Sequence, residues 1–151
     1  MLKLSRMTDY GVVVLSALSQ DGPTFVTAPE LAGTTGLPAP TVAKLLKLLA
    51  HGGLVYSQRG ATGGYTLARA PVCISAAEII AAIDGPLALT ECVEGSDVHC
   101  KVETLCPIRG RWDRVNRAVK RALEEVTLAE LAAPFVPPSA VDPAALGALR
   151  H

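Results

Sequence analysis

Aromatic residues are scarce in this chain of 151 residues, at 4% of the total, and cysteine occurs only four times. The apolar stretches are short and broken by polar residues, which excludes a helix able to cross a bilayer. The opening "MLKLSRMTDYG" has no basic segment leading into an apolar run and a small-residue cleavage site, so no secretory signal is expected. These absences place the chain in the cytoplasm, where thiols stay reduced and clustered cysteines point to metal or redox chemistry rather than disulfides. Hydrophobic residues make up 50% of the chain, enough to bury a core, and the length suits one domain or a small domain with an appendage. The wealth of Ala, Leu and Val leans toward helices. The formal net charge is zero but unevenly spread: residues 1–70 carry six Lys/Arg against three Asp/Glu, and residues 71–133 carry seven against ten. A mildly basic first half suits a polyanion without requiring one.

Residues 6–20, "RMTDYGVVVLSALSQ", stop abruptly at "DGP" and read as a buried helix. Thr27 and Glu30 have the spacing of a capping box, in which each side chain satisfies the other end's free amide. A short helix over 30–35 then stops at Gly36. "LPAP" forms a turn, and a second helix runs over 40–51 until Gly52 and Gly53, which accept a left-handed cap. At about 100° per residue, Val42, Leu45, Leu46 and Leu49 make one apolar stripe of that helix, with Lys44, Lys47 and His51 opposite. Two short helices joined by a tight turn, the second cationic on its outer face, describe a helix-turn-helix. "LVYSQRGATGGYTLAR" reads as a hairpin over 54–58 and 65–68 around a Gly-rich turn, the wing of a winged helix, with Arg59 at its base.

Ser75 and Glu78 form a second capping box, and Gly85–Pro86 end the helix it starts. A long helix is expected from Pro107 to about Val126, since proline is acceptable in a first turn. Ile108, Trp112, Val115, Val119, Ala122 and Val126 recur there at alternating spacings of four and three, a coiled-coil seam. The arginines on its other faces read as a solvated surface. Thr127 and Glu130 cap a last short helix, and the Pro- and Ala-rich tail over 134–151 is expected to be disordered.

Three of the four cysteines, Cys92, Cys100 and Cys106, fall in a polar stretch crowded with carboxylates. That stretch has few core residues, so the thiols read as ligands rather than as packing. Cys73, between Val72 and Ile74 at an element boundary, reads as packing. The spacing C-x7-C-x5-C is neither a zinc-ribbon nor a ferredoxin pattern, and thiolates suit zinc and iron–sulfur centres alike. Either centre needs a further ligand. His99 is a metal ligand by type, and Glu91, Glu94, Asp97 and Glu103 are the other local donors.

The start "LKLSRMTDYG", the helix-turn-helix "TAPELAGTTGLPAPTVAKLLKLLAHGGLV", the wing "RGATGGYTLA", the helix "ISAAEIIAAIDG" and three cysteines before a long helix occur here in that order. Together they resemble the Rrf2 family of winged-helix regulators typified by IscR and NsrR, over about residues 1–133. Within that family, "LTECVEG…C…CPIRGRW" and "VTLAEL" are most similar to regulators of SUF-type iron–sulfur cluster assembly. The resemblance implies a mainly α fold with a small β-wing: a winged helix-turn-helix over 1–84, a cluster-binding loop over 85–106, and a dimerisation helix with its closing short helix over 107–133. It implies a homodimer bound to a near-palindromic double-stranded operator, no membrane partner and no enzymatic turnover. The function it implies is a repressor of cluster-assembly genes that senses iron–sulfur status through a cluster on Cys92, Cys100 and Cys106.

Some members of the family complete their ligand set with a histidine three residues after the last cysteine. Arg109 stands at that place and, remaining protonated, cannot coordinate. Others use an acidic residue near the N-terminus of the partner subunit, and Asp9 matches it; His99 is the second choice. With Asp9, a 4Fe–4S cluster is favoured over 2Fe–2S. Thr41, Lys44 and Lys47 are the expected major-groove residues, Arg59 and Tyr65 belong to the wing, and Ser5 and Arg6 are candidates to hold phosphate. Two other readings are a winged-helix regulator responding to zinc or thiol oxidation, and an iron–sulfur carrier with the helical head as scaffold. The cationic face of the 40–51 helix argues against the carrier.

Overall fold

The computed structural model describes residues 3–90, 93, 107–108 and 110–134. The cysteine trio, His99, Arg109 and the tail from residue 135 lie outside them, as do Glu91, Glu94, Asp97 and Glu103. Helix α1 (Arg6–Gln20) begins after Ser5, whose hydroxyl accepts the Thr8 amide at 3.1 Å. The capping box of α2 (Ala28–Thr35) forms as its spacing requires: the Thr27 amide donates to the Glu30 carboxylate at 2.7 Å, and the Glu30 amide donates back to the Thr27 hydroxyl at 3.4 Å. Gly36 closes α2 in the left-handed region, and α3 (Ala39–His51) follows. Beyond α3, Gly53 takes the left-handed conformation while Gly52 stays right-handed. A Cβ at Gly52 would come within 2.6 Å of the Ala82 Cβ, so here glycine serves a close approach rather than a turn.

The wing is the antiparallel pair β1 (Val55–Gln58) and β2 (Gly64–Leu67), in the register Val55↔Leu67 to Gln58↔Gly64. A third segment joins it, because Val26 and Tyr65 exchange backbone hydrogen bonds of 2.9 and 2.8 Å. Gly64 has φ 147, and a Cβ there would sit 2.6 Å from the Val26 carbonyl oxygen, so the wing tolerates only glycine at that crossing.

A single 3₁₀ turn, Pro71–Cys73, leads to α4 (Ala76–Asp84), whose capping box of Ser75 and Glu78 also forms. Cys73 is exposed, which corrects its reading as packing; the neighbouring Ile74 takes the fully buried place. Arg69 ties the end of the wing to α4, donating to the Cys73 carbonyl at 2.9 Å and pairing with Glu78 at 2.7 Å.

Helix α5 spans Asp113–Glu125, not the longer stretch expected from Pro107. Residues 107–108 and 110–112 are turns, with Gly110 at φ 71 and hydrogen bonds from Arg111 to the Ile108 carbonyl and from Asp113 to the Gly110 carbonyl. A left-handed residue cannot continue a right-handed helix, so α5 starts beyond it. After α5 the chain returns to the head. The Ala76 amide donates to the Val126 carbonyl and the Leu128 amide to the Ile74 carbonyl, both at 2.8 Å. This places α6 (Leu128–Leu131) against α1, with Leu128 fully buried. The core unites Val14, Leu15 and Leu18 of α1, Leu31 of α2, Val42, Leu45, Leu46 and Leu49 of α3, and Ile79 and Leu128.

Burial pushes the Glu78 carboxyl up, but bonds from the Ser75 amide, the Arg69 guanidinium and the Ser75 hydroxyl together outweigh it and hold the group below its ordinary value of 4.5. A carboxylate lowered in the folded state contributes stability that is present above the unfolded pKa and is lost as pH falls through the folded one. Glu78→Gln is therefore expected to destabilise the fold at neutral pH, by up to about 1 kcal/mol for so exposed a pair. Urea unfolding should show the gap from wild type closing in acid below that ordinary value; a pH-independent gap would contradict the assignment.

Candidate nucleic-acid interface

Helix α3 presents two unlike faces. Val42, Leu45, Leu46 and Leu49 are fully buried, whereas Lys44, Lys47 and His51 are exposed and Thr41 is half-buried at the border. No side chain caps the first turn, where Pro38 holds the cap position and Pro40 follows. The outward edge of α3 is thus a row of cations that can reach a groove or its phosphates. Arg59 is exposed at the start of the wing's turn, while Tyr65 is half-buried and packs against the core. Among the described residues, none of Lys44, Lys47 and Arg59 is held in an ion pair, in contrast to Arg69.

Arg6 is exposed at the first position of α1. Ser5 is more committed than the sequence suggests: its hydroxyl donates to Asp84 at 2.6 Å while accepting the Thr8 amide. The Thr8 hydroxyl, itself only 2% exposed, donates to the other Asp84 oxygen at 2.7 Å. Because Ser5 supplies the cap, Asp9 is not needed for it. Its side chain is exposed and has no hydrogen-bond partner among the described residues. Asp9 lines an open groove of about 910 Å³ whose walls include Leu4, Val12, Ile79, Leu123 and Val126.

A second hollow, of about 530 Å³, shares Leu4 and Ile80 with the first and is bounded by Leu87, Trp112, Val115 and Val119. Beside it the expected seam stands uncovered, with Ile108 46%, Trp112 43% and Val115 42% exposed. Asn116, on the same side of α5 as Trp112 and Val119, is 5% exposed. Its amide nitrogen donates to the Leu87 carbonyl at 3.2 Å and its oxygen accepts the Leu89 amide at 3.1 Å.

The sequence reading gave no role to Asp84, Thr8 or Asn116. A signal was present in two cases. A carboxylate at the end of a helix faces an unfavourable dipole, and asparagine inside a helix is a poor helix former; each suggests a tertiary partner. Among the described residues no group of three or more His, Cys, Asp and Glu could hold a metal ion, and none of their helices is long and apolar enough to cross a membrane.

The model of the family described as "Rrf2: Iron-dependent Transcriptional regulator" matches residues 4–134. The transcriptional regulator CymR of Bacillus subtilis is 33% identical over 134 residues, covering 87% of this chain and 90% of that protein. Its solved structure, described as that of the global cysteine regulator, superposes with a TM-score of 0.65 over 94% of this chain and all of the other. The structure of T. potens IscR is 31% identical with a TM-score of 0.61, covering 86% of this chain and 85% of that one. The transcriptional regulator NsrR of Bacillus licheniformis is 27% identical over 131 residues, 86% of this chain and 92% of that protein. The cationic outer face of α3, the wing beside it and a match over nearly the whole described chain make this protein a member of the Rrf2 family, a winged-helix DNA-binding transcriptional regulator and not an enzyme.

Proposed function

We propose that the protein is a cytoplasmic homodimer that represses genes of SUF-type iron–sulfur cluster assembly and senses iron–sulfur status through a cluster of its own. Cys92, Cys100 and Cys106 would hold that cluster as thiolates, and Asp9 of the partner subunit would complete the set. The observation that carries this reading is the state of Asp9: an exposed carboxylate without a partner among the described residues, on the wall of an uncovered apolar groove. The family's description as iron-dependent accords with it, as does the chemistry of the donors, since three thiolates and a carboxylate suit iron. The bare row of Ile108, Trp112 and Val115 supports the dimer, because an exposed apolar patch on a small protein marks an interaction surface.

Bound, the cluster supplies a centre that oxidants, nitric oxide or iron shortage can strip, more readily than one with four thiolates. Protein residues do the remainder. Lys44, Lys47 and Thr41 meet the major groove, Arg59 and Arg6 hold phosphate, Ser5 and Tyr65 position the backbone around them, and the dimer sets the spacing of the half-sites. Coupling between the sensing segment and DNA affinity is reciprocal and of the order of 1–3 kcal/mol. A second reading, thiol oxidation at the same cysteines, is favoured by the likeness to a cysteine regulator.

Anaerobic purification separates the two. The cluster reading expects a brown protein with iron and sulfide, lost in Cys92→Ala, Cys100→Ala and Cys106→Ala, kept in Cys73→Ala, and weakened or converted in Asp9→Ala. A colourless wild type whose DNA binding answers to a thiol oxidant would favour the second reading. At the interface, Lys44→Ala with Lys47→Ala should weaken binding and flatten the salt dependence, by about 0.9 in log–log slope for each lost phosphate contact. An unchanged slope in a salt titration would mean that another face meets DNA.

A further inference from the structure

Two anchors bracket the segment that leads from α4 toward the cysteines. At its start, the Asp84 carboxylate accepts the Ser5 hydroxyl at 2.6 Å on one oxygen, and on the other the Thr8 hydroxyl at 2.7 Å and the Ser5 amide at 3.4 Å. Three residues on, Asn116 of α5 grips the Leu87 carbonyl and the Leu89 amide. Between the anchors stand Gly85, at φ 87, and Pro86, which leave α4 no way to continue. These bonds join residues 27 to 79 positions apart, so local structure does not produce them. Both anchors sit where their residue types are locally unfavourable, a carboxylate at a helix C-terminus and an asparagine within a helix. What they hold accounts for their presence.

We infer that Asp84 and Asn116 are positioning residues that couple α5, through the strap over 85–90, to the first turn of α1, the turn that carries Arg6 and Asp9. The inference rests on the reading of Arg6 and Asp9 as functional residues. The strap over 85–90 follows directly on Asp84, whose carboxylate holds Ser5 and Thr8, and is itself held through Leu87 and Leu89 by Asn116 of the helix bearing the exposed seam. A shift of α5 must either break the Asn116 anchor or pull on the strap, and the strap is joined directly to Asp84 and its bonds to Ser5 and Thr8. Burial of Thr8 and Asn116 makes breaking the costly choice, since a buried polar group left without its partner is heavily penalised. Movement of the strap therefore reaches the turn that faces the groove.

The test uses the full-length, metal-free protein and amide hydrogen exchange with NMR shifts, so it does not depend on a cluster. Among the described residues the Asn116 side chain bonds only Leu87 and Leu89, and none of α1. Asn116→Ala is expected to shift the Thr8 and Asp9 amides and speed their exchange by about fivefold or more, the lower end of an inter-site coupling. Ser5→Ala is expected to do the same to the Leu89 amide. Changes confined to 87–89 in the first variant and to the Ser5–Asp84 contact in the second would overturn the inference. Should Asn116→Ala lose its fold by circular dichroism, Asn116→Asp keeps the acceptor for Leu89 while removing the donor to Leu87, and is held to the same outcome. Failure of the sensor reading shows elsewhere, as an anaerobic protein without iron and sulfide.

Discussion

Leu45, Leu46 and Leu49 leave water together with Val14, Leu15 and Leu18 of α1, and this contact fixes the rotation of α3 about its own axis. Each such side chain is worth about 1.5–3 kcal/mol when fully buried. Turning α3 by one residue would expose several of them at once, so the orientation is strongly held. Lys44 and Lys47 face outward as a consequence, and the wing follows from the same constraint. Leu54 and Val55 are buried immediately after α3, and Tyr65 is stitched to Val26 just ahead of α2. The candidate DNA-facing surface is the reverse side of a well-packed core.

The second half of the molecule is built around α4. At one end Arg69 from the wing reaches Glu78, and at the other Asp84 holds the cap of α1. Helix α6 returns to the head through the bonds at Ala76 and Leu128. Leu128 thereby joins the same core as α1, α2 and α3. The proposed sensor segment lies in the chain between the strap and α5.

Features set by residues a few positions apart were legible in the sequence. All three capping boxes, the Gly36 stop and the Gly-rich wing turn formed where their spacing indicated. The apolar stripe of α3 was equally plain, since its period is a property of the helix itself. Contacts between distant residues were not. Nothing near Asp84 in sequence announces Ser5 and Thr8, and nothing near Asn116 announces Leu87. The seam pattern also ran past the real start of α5, because hydrophobic spacing cannot register that Gly110 turns left-handed. At Cys73 the sequence could not decide which of two neighbours faces inward, and Ile74, with the larger apolar side chain, holds the buried place. For the candidate site the sequence supplied residue types, and the structure added that Asp9 has no side-chain partner among the described residues while Ser5 is engaged.

The central claim is that two subunits build each sensing site, with cysteines from one and Asp9 from the other. Mixed dimers test this most directly. One subunit carries Asp9→Ala with its cysteines intact, and the other carries Cys100→Ala with Asp9 intact; the dimers are isolated by two affinity tags. If Asp9 acts across the interface, every mixed dimer keeps one complete ligand set. Iron, sulfide and the spectrum should then show half the wild-type cluster content, with wild-type stability. A mixed dimer whose remaining cluster behaves like that of the Asp9→Ala homodimer would place the carboxylate on its own subunit's cysteines, or outside the ligand set, and contradict the account.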